Sequence, residues 1–211
     1  MTAHAHRSLV RRATAAAAAV TAVIVLAACG AGDDKSADHD GHGRTARPSA
    51  SAPASQGQHN AADVSFAQRM IPHHRQAVEM AGLATTRAES AEVRKLAAEI
   101  KKAQDPEIKA LSGWLTSWGE EVPAEGAMDH SVHDTGGMMT AEEMDKLEKS
   151  SGRPFDAAFM ELMIKHHRGA VEMARTEQTD GTYQPAKDMA GAVITSQTAE
   201  ITRMSELLGK S

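Results

Sequence analysis

The stretch Phe66-Ala67-Gln68-Arg69-Met70-Ile71-Pro72-His73-His74-Arg75-Gln76-Ala77-Val78-Glu79-Met80-Ala81 decides the fold, because the chain contains it twice. Its second copy is Phe159-Met160-Glu161-Leu162-Met163-Ile164-Lys165-His166-His167-Arg168-Gly169-Ala170-Val171-Glu172-Met173-Ala174, about 93 residues further on with no gap. The same offset pairs Gln104, Glu107, Ile108 and Leu115 with Gln197, Glu200, Ile201 and Leu208. A register kept through two successive segments marks one unit duplicated in tandem.

Each copy reads as two helices, because apolar residues recur at three- and four-residue spacing. The first helix is expected over about 63–86 and the second over about 90–118. In the second copy Pro154 suits a helix start, and that helix should run to about Gln178. Pro185 opens the last helix, which should end near Leu208 before Gly209. Asp105-Pro106 should kink or briefly break the second helix. Thr140-Ala-Glu-Glu143 has the form of a capping box, opening a short extra helix to about Lys149. Two hairpins with one greasy stripe each bury it best against each other. The expected fold is therefore all-α, a four-helix ferritin-like bundle with pseudo-two-fold symmetry.

Composition agrees with packed helices and narrows the function. Of 211 residues only 3% are aromatic, and a net charge of −5 gives no basic face for nucleic acid. A single cysteine excludes a disulfide framework. The unusual surplus is 12 Met and 11 His.

The duplicated helix places that surplus inward. At 100° per residue Phe66, Met70, His73, Ala77 and Met80 share one face, with His74 at its edge. Phe159, Met163, His166, Ala170 and Met173, with His167, repeat the pattern. On the following helices Gln104 and Glu107 sit in the apolar stripe, as do Gln197 and Glu200. A carboxylate on a core face costs several kcal/mol unless it is paired or bound. Three partners are open. Glu107 and Glu200 could bond the histidines in a structural polar network. A di-iron site is a second option, but it needs Glu-x-x-His on two helices, and here Met70 and Met163 stand three residues before His73 and His166. Copper is the third: thioether and imidazole suit Cu(I), while imidazole and carboxylate suit Cu(II). The ligands would be Met70, His73, His74, Met80, Met163, His166, His167 and Met173. Glu107, Glu200, Gln104 and Gln197 would orient the imidazoles from outside.

Met128-Asp-His130-Ser-Val-His133-Asp-Thr-Gly-Gly-Met138-Met139, followed by Met144, concentrates the same donors between the hairpins. As an exposed loop it could capture and relay a soft ion. Otherwise Met138, Met139 and Met144 cap one end of the bundle by ordinary packing.

With these motifs assembled, the sequence resembles the bacterial family known as domain of unknown function 305. The resemblance rests on Met70–Met80, its twin Met163–Met173, and Gly137-Met138-Met139-Thr140 with Glu143-Met144, over about residues 60–209. It implies a ferritin-like helical fold and, from some members, exported copper binding linked to copper resistance.

The segment 1–28 reads as an export signal. Arg7, Arg11 and Arg12 precede an apolar run from Ala13 to Leu26 that is short for the ~20 residues of a membrane span. Leu26-Ala27-Ala28-Cys29 resembles the lipobox of bacterial lipoproteins, which implies acylation of Cys29 and attachment to the outer membrane face through lipid. Three of the 23 bases and none of the 28 acids lie in this segment, so the mature chain would carry −8. Residues 29–60 have the composition of a flexible linker, in which Asp38-His39-Asp40-Gly41-His42 could chelate weakly; residues 61–209 form the folded domain. The expectation is an extracytoplasmic, lipid-anchored copper buffer or relay, exchanging the ion with a donor or acceptor protein, with no catalytic residues. A ferritin-like metal-dependent oxidase and a structural lipoprotein are the alternatives.

Overall fold

The computed structural model describes residues 57–125 and 136–209. The export segment, Cys29, the linker to residue 56 with its Asp38–His42 stretch, and Met128, His130 and His133 lie outside the described residues. Within them the fold is all helical: α1 (Ala61–Arg87), α2 (Ala91–Trp118), α3 (Ala141–Lys149), α4 (Gly152–Asp180) and α5 (Gln184–Leu207). No helix among them is long and apolar enough to cross a membrane. α1 packs with α2, α4 with α5, and the two hairpins meet mainly through α1 and α4, with α3 laid against both.

Helix ends follow local chemistry. The Asn60 side chain accepts from the Ala62 and Asp63 N–H groups, and Asp63 reaches back to the Asn60 N–H, so α1 begins two residues earlier than the apolar spacing suggests. The Thr140–Glu143 capping box opens α3 as expected. α2 is closed by Gly119 in the left-handed region, at φ 77°.

The expected break at Pro106 does not occur, and α2 runs continuously through it. Proline removes the N–H that would bond the Lys102 carbonyl. Both residues are exposed, so water can take that carbonyl and the helix need not end.

Two aspartates, at equivalent positions of the two copies, lock the hairpins together. Asp63 at the start of α1 accepts from the Thr182 and Tyr183 N–H groups at 3.1 and 2.9 Å, in the turn of the other hairpin. Asp156 at the start of α4 accepts from Glu89 and Ser90 at 3.1 and 2.8 Å, in the turn of the first. Each hairpin thus satisfies the orphan donors of its partner's turn. Arg203 of α5 adds surface ion pairs to Glu99 and Glu92 of α2.

The apolar core falls into two clusters. One gathers Phe66–Ile71 of α1, Leu111 and Leu115 of α2, Ala170–Ala174 of α4 and Ala186–Val193 of α5. The other gathers Ala77–Ala84, Val93–Ile100, Phe155–Ile164 and Met204, sealed by Met139, Met144 and Leu147. On all four long helices the buried residues between the clusters are polar.

Candidate metal centre

Those intervening residues are His73, His74 and Gln76 on α1, Gln104 on α2, His166 and His167 on α4, and Gln197 on α5, joined by the half-buried Glu107 of α2 and Glu200 of α5. The bundle therefore carries a polar layer across its middle. All four histidines are buried, His74 as fully as the rest, so its expected place at the edge of the apolar face is corrected. α2 and α5 wrap the α1–α4 pair closely enough to cover a second residue of each His-His step.

The layer is organised by pairs. The His73 and His166 rings meet with centroids 3.7 Å apart. His167 Nε2 lies 2.6 Å from Glu200 Oε2, and His74 Nε2 lies 2.8 Å from Glu107 Oε2, there bent away from good hydrogen-bond geometry. Glu107 and Glu200 are 21% and 20% exposed, so they stand at the rim and escape most of the desolvation expected of core carboxylates. His73 Nε2 lies 3.1 Å from the Gly136 carbonyl oxygen.

Carbonyl and carboxylate oxygens only accept, so Nε2 of His73 and of His167 is the donor in these contacts. The Nδ1 atoms of all four histidines are buried without a hydrogen-bond partner, and so are Gln104 Oε1 and Gln197 Oε1. Burial, then the neighbouring His74, pushes His73 down to about 3. Burial and the adjacent His73 hold His166 well below the ordinary histidine range. Both are neutral at physiological pH, the form in which imidazole donates to a metal.

Met70 and Met173 lie in one apolar cluster and Met80 and Met163 in the other, all buried, so thioethers flank the layer from both sides. Among the described residues no three His, Cys, Asp or Glu side chains converge as a metal-binding group. A metal held here thus needs thioether donors beside imidazole, and soft ions accept that set.

In the connection between the hairpins, the packing alternative holds at Met139 and Met144. Met139 and Met144 are core residues, and Met138 is half-buried. Gln76 grips the Met139 backbone from both sides, donating to its carbonyl at 2.9 Å and accepting its N–H at 2.7 Å. Gly136 and Gly137, at φ 54° and 86°, fold down onto Gly169. A methyl group at 169 would collide with the Gly136 carbonyl, which explains why the second copy has Gly169 where the first has Gln76. Lys165, the counterpart of Pro72, pairs with Glu143 at 2.9 Å and so serves α3.

Sequence reasoning missed Glu177. It is buried beside Asp63, and burial together with that carboxylate pushes it up to about 8. Burial works to raise Asp63 too, but hydrogen bonds from the Asn60 N–H, the protonated Glu177 and the Tyr183 and Thr182 N–H groups hold it below the usual carboxylate range. The signal was available in the repeat: Glu177 stands where the first copy has Ala84.

Fold and layer define a class, namely helical-hairpin bundles with paired histidines buried at mid-height. The chain belongs to the family described as domain of unknown function (DUF305), whose signature matches residues 63–208. A DUF305 secreted protein from Streptomyces coelicolor is 35% identical with a TM-score of 0.64, over 71% of this chain and 91% of that one. CopM in its Cu(II)-bound form is 36% identical with a TM-score of 0.60, over 69% and 94%. A DUF305 fragment from Deinococcus radiodurans is 27% identical with a TM-score of 0.64, over 72% and 98%. CopM is also known in Cu(I)-bound and Ag-bound forms. Among curated proteins none is similar enough to match.

Proposed function

We propose that this protein is exported, anchored by lipid on Cys29, and binds copper in its histidine layer to buffer or relay the ion outside the cytoplasm. Four buried imidazoles with unpartnered Nδ1 atoms carry this reading. An unsatisfied buried acceptor costs about 1–3 kcal/mol, and a soft cation would relieve those it reaches. The likeness to CopM in Cu(I)- and Cu(II)-bound forms supports it. His73, His74, His166 and His167 would donate through Nδ1, with Met70, Met80, Met163 and Met173 offering sulfur. Glu107, Glu200 and the Gly136 carbonyl would hold three of the rings by Nε2, with Gln104 and Gln197 beside them. Met138 and Met139, next to the Gly136 turn, would follow the ion's passage, and Met128, His130 and His133 would capture it and exchange it with a partner protein.

The role is binding, without catalysis. An oxidase of di-iron type would require carboxylates shared between metal ions, whereas Glu107 and Glu200 each face one imidazole.

The test is elemental analysis of the exported protein purified from copper-supplemented cells, beside a His73→Gln/His166→Gln variant. Stoichiometric copper in the first and its loss from the second, with the helical circular dichroism of both intact, is the expected result. Iron or no metal in the wild type, or copper unchanged in the variant, refutes the proposal.

A further inference from the structure

The groove between α1 and α4 has two ends, and the described chain fills one of them. There α3 and its approach press Met139, Met144 and Leu147 among Met80, Ala84, Phe155 and Phe159. Moving these four positions by the repeat offset gives Met173, Glu177, Ala62 and Phe66. All four line a cavity of about 440 Å³ at the opposite end, where no described helix takes the part of α3.

The two ends also differ in chemistry. Leu83, Ala84 and Leu162 pack against the filled end's cluster, and their counterparts around the cavity are Thr176, Glu177 and Arg69. Three apolar residues have become polar where the groove is open. Arg168 and Ser65 join the lining. Arg69 approaches Gly136, whose carbonyl lies on Gly169 next to Arg168, so both arginines flank the same turn. Neither forms an ion pair among the described residues, although the acidic surface offers partners to Arg153, Arg175 and Arg203. At the far side Glu177 is 1% exposed, and both its oxygens lack a hydrogen bond of good geometry. Asp63, its neighbour, already accepts from Asn60, Thr182 and Tyr183.

We propose that this cavity binds a small organic acid, with its carboxylate at Arg69 and Arg168 and its apolar body on Phe66 and Met173. Guanidinium matches a carboxylate through charge-assisted, bidentate hydrogen bonds. The volume falls in the range of small-molecule pockets, and an apolar floor with a few polar groups is their usual lining. Glu177, which shares its proton with Asp63, adds no charge of its own beside the acid's apolar body. This inference does not depend on copper.

Calorimetric titration of the metal-free full chain at pH 7 with benzoate and isocaproate, and with their amides, tests it. At least one acid should bind saturably at one per chain. Arg69→Gln and Arg168→Gln should each weaken it by roughly tenfold, and the amides should not bind. Thr176→Leu/Glu177→Ala, which rewrites the cavity as its filled counterpart, should abolish binding while the circular dichroism stays helical. No saturable binding of either acid at millimolar concentration overturns the proposal. So does amide binding of equal strength, or undiminished binding by a folded Arg69→Gln/Arg168→Gln variant.

Discussion

Replacing Glu177 by glutamine should change how stability depends on pH, by an amount the native environment sets. Glu177 titrates near 8 in the folded chain against 4.5 for an ordinary glutamate. Between these values the native state holds a proton that the unfolded chain has released, so stability falls as pH rises. His73, pushed down to about 3, and His166, also depressed, act the other way. Below about 6.5 the unfolded chain protonates them and the native state does not, so stability falls as pH drops. From pH 6.5 to 8 only Glu177 of these three contributes, and 1.5 pH units at ~1.4 kcal/mol each predict a loss of about 2 kcal/mol. Below 6.5 two opposing histidines outweigh one glutamate and leave a net rise of ~1.4 kcal/mol per unit towards neutrality. The metal-free protein should therefore be most stable near pH 6.5. In Glu177→Gln the decline above 6.5 should vanish, and the slope below it should roughly double. Urea unfolding followed by fluorescence of Trp114 and Trp118, which pack against Tyr183 beside this carboxyl pair, reads both limbs. A wild-type curve that does not fall between 6.5 and 8, or a glutamine variant falling as steeply, would refute the reasoning.

Asp156→Ala strands the Glu89 and Ser90 N–H groups and should cost about 1–3 kcal/mol in urea midpoint experiments, with Asp156→Asn losing less. Gly169→Ala would drive a methyl into the Gly136 carbonyl and should lower the melting temperature by several degrees. Gly82→Ala and Gly113→Ala, where an added methyl meets nothing, should instead stabilise α1 and α2 by about 0.5–1 kcal/mol each. Glu200→Ala frees the His167 ring and should weaken copper binding by roughly 10- to 100-fold in competition with a chromogenic chelator. Because Glu200 is partly exposed, the variant should stay folded at little cost.

Helix positions and the buried faces were legible because the apolar period and the duplication speak together. Phe66, Met70, His73, Ala77 and Met80 share a face by spacing alone, and their twins repeat it at an offset no loop could preserve. Long-range closures were less legible. That Asp63 and Asp156 cross over to the opposite hairpin's turn depends on how the hairpins dock, which no local pattern encodes, although their common offset was visible. Of the two readings open for the connection, packing holds at Met139 and Met144. Glycine-rich sequence suggests exposure, yet Gly136 and Gly137 serve to bring the chain tightly onto Gly169, and Gln76 then fixes Met139 in the core. At Pro106 the helix continues because the orphaned Lys102 carbonyl lies on an exposed face where water can take it. At both places the exposure of the residue, which its type alone does not give, decides the outcome.

The layer's energetics bear on what the bundle is for. Nine polar side chains between two apolar clusters could serve register alone, but a structural network earns its place by satisfying its members. Here four imidazole Nδ1 atoms and two glutamine oxygens remain without protein donors, a number that native cores seldom leave unexplained. Adding protons would satisfy the rings, yet burial opposes charge on His73 and His166. A monovalent soft cation meets the same burial, but it can share its charge among several lone pairs and the thioethers above and below, while Glu107 and Glu200 answer it from the rim. Duplication then has a physical sense. Each copy brings one His-His step and one rim carboxylate, and the inner pair, His73 against His166, forms only when both copies are present. Half the chain would lack that pair, so metal affinity should require the intact two-hairpin unit.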